Sequence, residues 1–224
     1  MRFENSIERR ISGKHRANLR MLSFRGKRVI DIGCGIGIIE KNILKDAKKV
    51  LAIEPFKKDL EIAKRSVKSN KVNFICASVF EINKITNEKF DIAMAFDVIE
   101  HLPKGREIRA LKKINFALNK RVKILISTPA NNISKFFDPA WYFGHRHYNK
   151  KEIAILLEES GFKIQKIYIM GGVYEIINMF LFYIWKWIFD SEVPFKKFFD
   201  KKRDAEYLIK KRGFVTLFAI AEKK

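Results

Sequence analysis

The chain has 224 residues, 47% of them hydrophobic, which is enough for one sizeable core and too few for two full domains. Its 46 Lys and Arg stand against 25 Asp and Glu, and the formal charge of +21 favours an anionic partner: nucleic acid, phospholipid headgroups or an acidic substrate, with a generally basic solvated surface as the plain alternative. Two cysteines, Cys34 and Cys76, argue against a disulfide framework and the charged opening MRFENSIERR argues against a secretory signal, so a reducing cytoplasm is the expected setting.

In chain order, Ile7, Ile11, Leu19 and Leu22 recur at helical spacing among basic residues, and an amphipathic helix is predicted over 5–22. From Arg28 the pattern becomes short apolar runs alternating with helical stretches, the signature of repeated strand-helix units. Strands are predicted over 28–32, 50–54, 73–76, 90–96, 123–127, 163–170 and 214–221, and helices over 38–44, 57–68, 105–118 and 150–160. The last helix is well punctuated, with Asn149 as cap, Glu152 three residues on as in a capping box, and Gly161 as the left-handed stop.

One connection is too long to be ordinary: 172–212 reads as a helical insertion between the last two strands. Its first part, VYEIINMFLFYIWKWIF, is apolar except for Glu175, Asn178 and Lys186, which share one narrow stripe. A helix there would be about 25 Å long, at the short limit for crossing a bilayer. With Lys196, Lys197, Lys201, Lys202 and Arg203 following, 173–203 reads as a helix lying on an anionic membrane surface, as a cover over an active-site mouth, or as a homodimer interface.

The stretch VIDIGCGIG, closing the first strand and opening a helix, places Gly33, Gly35 and Gly37 where the backbone must bend close to a ligand. By itself this also suits dinucleotide-binding folds. Two carboxylates discriminate: Asp31, two residues before the first glycine, and Glu54 at the end of the second strand, where it can accept both hydroxyls of a ribose. Cys34 within the bend is a small space-filling residue.

Asp31 within DIGCGIG resembles the class I S-adenosylmethionine-dependent methyltransferase pattern. FDIAMAFDVIEHLP, ILISTPA and GHRHYNKKEIAILLEESGF then follow in an order similar to the type 11 methyltransferases, which include ubiquinone-biosynthesis O-methyltransferases. The resemblance covers 28–162 and implies an α/β, Rossmann-like class I methyltransferase fold: a mostly parallel seven-stranded sheet with an antiparallel last strand, helices on both faces, and one domain over 1–224. It implies S-adenosyl-L-methionine as cofactor, held by Asp31, Gly33, Cys34, Gly35, Gly37, Glu54, Ser78, Val79 and Asp97. Ser78 stands where many relatives carry an Asp toward the adenine amino group, and the Val79 amide is placed for the ring nitrogen.

His101, His145 and His147 fall in loops at the carboxyl ends of the fourth and fifth strands, the edge where open parallel sheets bind ligands, and are better placed than His15 to contact an acceptor or act as base. Glu100 and His101 resemble a metal-binding pair of some relatives; a loop histidine bonded to backbone is the simpler reading, and no metal is assigned. His145, Arg146, His147 and Tyr148 either contact the acceptor or pin the entry to the next helix. Trp141, Tyr142 and Phe143 are candidates to stack on a planar acceptor or to sit in the core.

The leading expectation is therefore methyl transfer to a small or lipid-linked acceptor, with oxygen as the atom. RNA is the rival acceptor suggested by charge, although FDVIEH differs from the Asn/Asp-Pro-Pro-aromatic motif that grips an extruded base. A non-catalytic cofactor-binding subunit is the third reading, and the intact Asp31, glycines and Glu54 argue against it. Membrane association of a cytoplasmic protein fits the basic insertion.

Overall fold

A computed structural model describes residues 11–185, 188, 193, 195–208 and 213–224. Seven strands form one sheet: β1 (Arg28–Ile32), β2 (Lys49–Glu54), β3 (Val72–Cys76), β4 (Phe90–Phe96), β5 (Leu118–Pro129), β6 (Phe162–Met170) and β7 (Thr216–Lys223), in the order β3-β2-β1-β4-β5-β7-β6. β1 to β5 run parallel, whereas β7 pairs antiparallel with both β5 and β6.

Helices cover both faces because alternate residues of the central strands point to opposite sides. Ile30, Ile32, Leu51, Ile53, Ile124 and Ile126 pack on one side with Leu111 and Ile114 of α5 (Glu107–Ala117) and Leu157 of α7 (Lys150–Glu159). Val29, Val50, Met94 and Leu125 pack on the other, with Ile39 and Ile43 of α2 (Ile38–Ile43) and Leu60 and Ala63 of α3 (Lys57–Ser66). These side chains are almost wholly out of water, and at about 25 cal/mol per Å² their burial is the main favourable term holding the layers together.

Several boundaries differ from the sequence expectation. β5 starts at Leu118, not 123: Leu118 pairs with Phe90 ahead of a register shift, and the charged NKRVK run that breaks the apolar pattern lies inside the strand. β7 runs to Lys223 because antiparallel pairing with Phe162 carries its last turn of ladder past the apolar run. Of the helix expected over 5–22, residues 5–10 lie outside the described residues, and the rest is shorter: α1 spans Gly13–Leu19, started by Ser12, whose hydroxyl accepts the His15 amide 3.3 Å away.

The insertion is helical as expected, with two α-helices among the described residues. α8 is α-helical over Val173–Ile184 with Trp185 as its cap, and Trp185 and Ile188 are in π-helical conformation; 186, 187 and 189, the rest of the helix expected over 173–189, lie outside the described residues. α9 (Lys196–Leu208) returns along it, and Glu206 caps α8 from outside, accepting the amides of Gly172 at 2.9 Å, Tyr174 at 2.9 Å and Glu175 at 3.1 Å. A carboxylate on these unpaired N–H groups also meets the positive end of the helix dipole. Short helices α4 (Ile82–Ile85) and α6 (Pro139–Tyr142) complete the set among the described residues.

Candidate active site

The strand order reverses between β1 and β4, and a crevice opens there beyond the carboxyl ends of the strands. Gly33, Gly35 and Gly37 line its β1 side, all with positive φ. A side chain at Gly33 would meet Val98 Cγ2 at 2.6 Å, so this glycine lets the loops after β1 and β4 touch. A side chain at Gly35 would meet nothing within 4 Å. That open side is a cradle which a Cβ would fill, and only backbone faces a ligand there.

Glu54, at the end of β2, holds this bend: one carboxylate oxygen accepts the Gly35 amide at 2.9 Å and the other the Phe56 amide at 3.0 Å. Each oxygen keeps a further lone pair for a hydroxyl. Asp31 is buried beneath the bend beside Glu40 of α2; burial first, then Glu40, raises the Asp31 carboxyl well above its ordinary range. Glu40 is also raised by burial, and the Asp31 side chain is its hydrogen-bonding neighbour. Burial and the neighbouring Glu40 push the Cys34 thiol up, which makes it an inert filler.

After β3, Ser78 caps a short 3-10 turn, Val79–Glu81, with a reciprocal capping box to Glu81. The buried Val79 opens that turn, where the helical ladder does not use its amide. Adenine contact by Ser78 therefore competes with its capping of Phe80, 3.4 Å away.

Asp97 follows β4 in a left-handed conformation, φ 54°, and accepts the Ser127 hydroxyl at 3.1 Å. Its other oxygen is paired with Lys14 of α1, a residue for which the sequence carried no signal. Burial alone would raise Asp97, but the Lys14 charge and hydrogen bond outweigh it and hold the carboxyl below its ordinary value. Lys14 remains an ammonium for the matching reason: burial opposes its charge, and Asp97 with Glu175 overrides that.

A cavity of about 760 Å³ adjoins Asp97 and Lys14. Glu100, His101, His145 and His147 line it, as do Glu175 and Asn178 of α8 and Lys196, Asp200 and Arg203 of α9; Met179, Phe182 and Tyr183 of α8, with Val193 and Val215, supply the apolar part of its wall. The three histidines differ. His147 is spent on structure, its Nδ1 3.2 Å from the Ala130 carbonyl and its Nε2 3.0 Å from Asp138, so neither nitrogen is left for a substrate proton. His101 and His145 pack edge to face, ring centroids 4.5 Å apart, at the rim. Partial burial and the His145 ring lower the His101 pKa below 6.5. Tyr142 and Phe143 do not line this cavity, and Trp141 packs edge-on against Phe136, so the expected stacking platform is absent from it.

Arg146 is the organiser of the loop after β4. Its guanidinium donates to the carbonyls of Ile99, at 3.0 Å, and Leu102 and pairs with buried Glu107, while Tyr148 Oη reaches Glu107 at 3.3 Å. Within this loop Glu100 accepts from Thr128 at 3.0 Å; burial, then Asp97, pushes its carboxyl up to about 8.

The folded state thus binds this proton more tightly than an unfolded glutamate at 4.5. The resulting stability is fully present below the unfolded value and is lost as pH rises through about 8. The thermal midpoint of the wild type is expected to fall between about pH 6 and about pH 9 more steeply than that of Glu100→Gln. Parallel curves for the two proteins would remove the buried acid.

Glycine bend, paired carboxylates and switch-point crevice define a Rossmann-like class I methyltransferase whose cofactor is S-adenosylmethionine. The methyltransferase-domain family matches residues 6–167, and the chain belongs to it. It is 31% identical over 127 residues to the ubiquinone biosynthesis O-methyltransferase of Rhodopseudomonas palustris, which covers 55% of this chain and 48% of that protein. The chain thus spans about half the length of, or less of, the curated relatives it matches first. Among solved structures, an S-adenosylmethionine-dependent methyltransferase from Mesorhizobium loti aligns with a TM-score of 0.66 at 16% identity, covering 95% of this chain and 98% of that one. The [4+2]-cyclase SpnF aligns at 0.67 with 17% identity, covering 94% and 80%. A cyclase on the same fold means that the reaction must be argued from the site.

Proposed function

We propose that the protein methylates oxygen on a small or lipid-linked acceptor that enters the 760 Å³ cavity. The carrying observation is the cavity's mixed lining: titratable groups beside Asp97, at the crevice that would hold the cofactor, together with Met179, Phe182 and Tyr183 as apolar surface from α8. The likeness to ubiquinone biosynthesis O-methyltransferases supports oxygen as the atom.

In this reading Gly35 keeps the crevice open and Gly33 lets the loops after β1 and β4 meet, while Glu54 would take the ribose hydroxyls, the Val79 amide would face the adenine ring, and Asp97 with Lys14 would close the methionine end. Asp31 and Glu40 lie under the bend. Cys34 and Gly37 pack it, and Ser78 fixes the turn that presents Val79. S-adenosylmethionine supplies an electrophilic methyl on a sulfonium, transferred by in-line displacement. The protein's share is alignment and exclusion of water, which contributes about 7 to 11 kcal/mol of the barrier. His101, held neutral near pH 7, accepts the acceptor's hydroxyl proton, and His145 buttresses its ring.

Transfer of label from S-adenosylmethionine to lipid extract, with total RNA as the parallel substrate, tests the acceptor class. Label in RNA alone would overturn it. His101→Ala is expected to lower kcat about 100-fold and erase an acid limb lying below pH 6.5, leaving cofactor affinity intact. Unchanged kcat would take the base role from His101.

A further inference from the structure

The polarity of α8 is inverted relative to a helix on a water-facing surface. Glu175, Asn178, Met179, Phe182 and Tyr183, spaced three and four apart, face the cavity, and no residue of the helix is fully buried. The opposite stripe is apolar and open: Phe180 and Ile184, with Ile188 continuing the same spacing.

A second apolar element lies beside it. The 3-10 turn Ile133–Phe137 and α6 flank the same cavity through Ser134, Asp138 and Ala140, and Phe137 meets Phe180 with ring centroids 6.3 Å apart. Its outer residues are among the most exposed apolar groups described: Ile133 at 69%, Tyr142 at 65% and Phe143 at 76%. Cations are interleaved with them. Lys135 sits over the Phe136 and Trp141 rings, and Lys197 and Lys201 are exposed on α9 beside the mouth.

From these observations we infer that the cavity mouth, framed by α8 and by the sequence-distant 133–143 segment, is a docking surface for an anionic lipid bilayer. Apolar side chains enter the acyl boundary and lysine heads remain at the phosphates. Charge complementarity selects this occupant over a second copy, because a chain of charge +21 that pairs across a lysine-studded face sets like charges against each other. None of the described helices is long and apolar enough to cross a membrane, so the contact lies in the plane of the surface. A lipid-linked acceptor would then pass from the bilayer to the apolar wall without crossing water.

Co-sedimentation with phosphatidylcholine vesicles, and with vesicles of an equimolar phosphatidylcholine and phosphatidylglycerol mixture, tests this directly. The full chain is expected to bind the anionic vesicles at least about tenfold more tightly and to stay partly bound at about 0.5 M salt. Ile184→Asp and Phe143→Asp, one on each segment, should each weaken vesicle binding about tenfold while cofactor affinity, measured separately, is unchanged. Equal binding to both vesicle types, or none, overturns the inference. So does a dimer in sedimentation velocity that Ile184→Asp dissociates. Because these readouts need no methyl transfer, they stand or fall independently of the acceptor assignment.

Discussion

Glu54→Ala is expected to reduce affinity for S-adenosylmethionine and for its demethylated product at least about 100-fold in calorimetry. A carboxylate that accepts two ribose hydroxyls makes two charge-assisted hydrogen bonds, each contributing about 1.5 to 3 kcal/mol, and 1.4 kcal/mol is a factor of ten. The alanine also frees the Gly35 and Phe56 amides, so the bend loses the anchor that keeps its open side toward the crevice. Glu54→Gln retains acceptor oxygen on one side only and should fall between the two. Affinity within about twofold of wild type, together with measurable binding of a nicotinamide or flavin dinucleotide, would move the ribose away from Glu54 and undo the cofactor site.

The second large effect is on stability. Arg146→Ala removes a guanidinium that satisfies two or more loop carbonyls and the buried Glu107 carboxylate. Breaking a buried pair by deleting one partner costs about 3 to 5 kcal/mol, since the other charge stays behind without compensation. For a chain of this size the thermal midpoint should drop by roughly 10 °C, and methyl transfer should fall with it as Glu100 and His101 lose their platform. Arg146→Lys keeps the charge but not the planar fork, so it should recover only part of the loss. A midpoint within about 2 °C of wild type in Arg146→Ala would show that the loop after β4 is held by something else.

Much of the scaffold was legible because its causes are local. Short, nearly continuous apolar runs in β1, β2 and β4 announce strands buried on both faces. Asn149 and Glu152 do form the capping box their spacing suggests, and Gly161 has φ +84° at the helix stop. The bend 33–37 could be read as well, since a glycine required by close approach leaves its mark at the very position where the approach occurs. Sequence therefore determined the fold class, the cofactor crevice and the presence of an insertion.

Tertiary structure decided the cavity beside Asp97. Lys14 and Asp97 are 83 residues apart, Arg146 and Glu107 39, and Glu206 caps a helix that starts over 30 residues earlier. A lysine in GKHRANL reads as a solvated cation until α1 docks on α9 and partly buries it beside Asp97. His147, one of three equivalent-looking histidines, is set apart only by the Ala130 carbonyl and Asp138 on its two nitrogens. The direction that α8 turns its polar stripe could not be read from periodicity, which reports that a helix has two faces and not which of them the rest of the chain will cover.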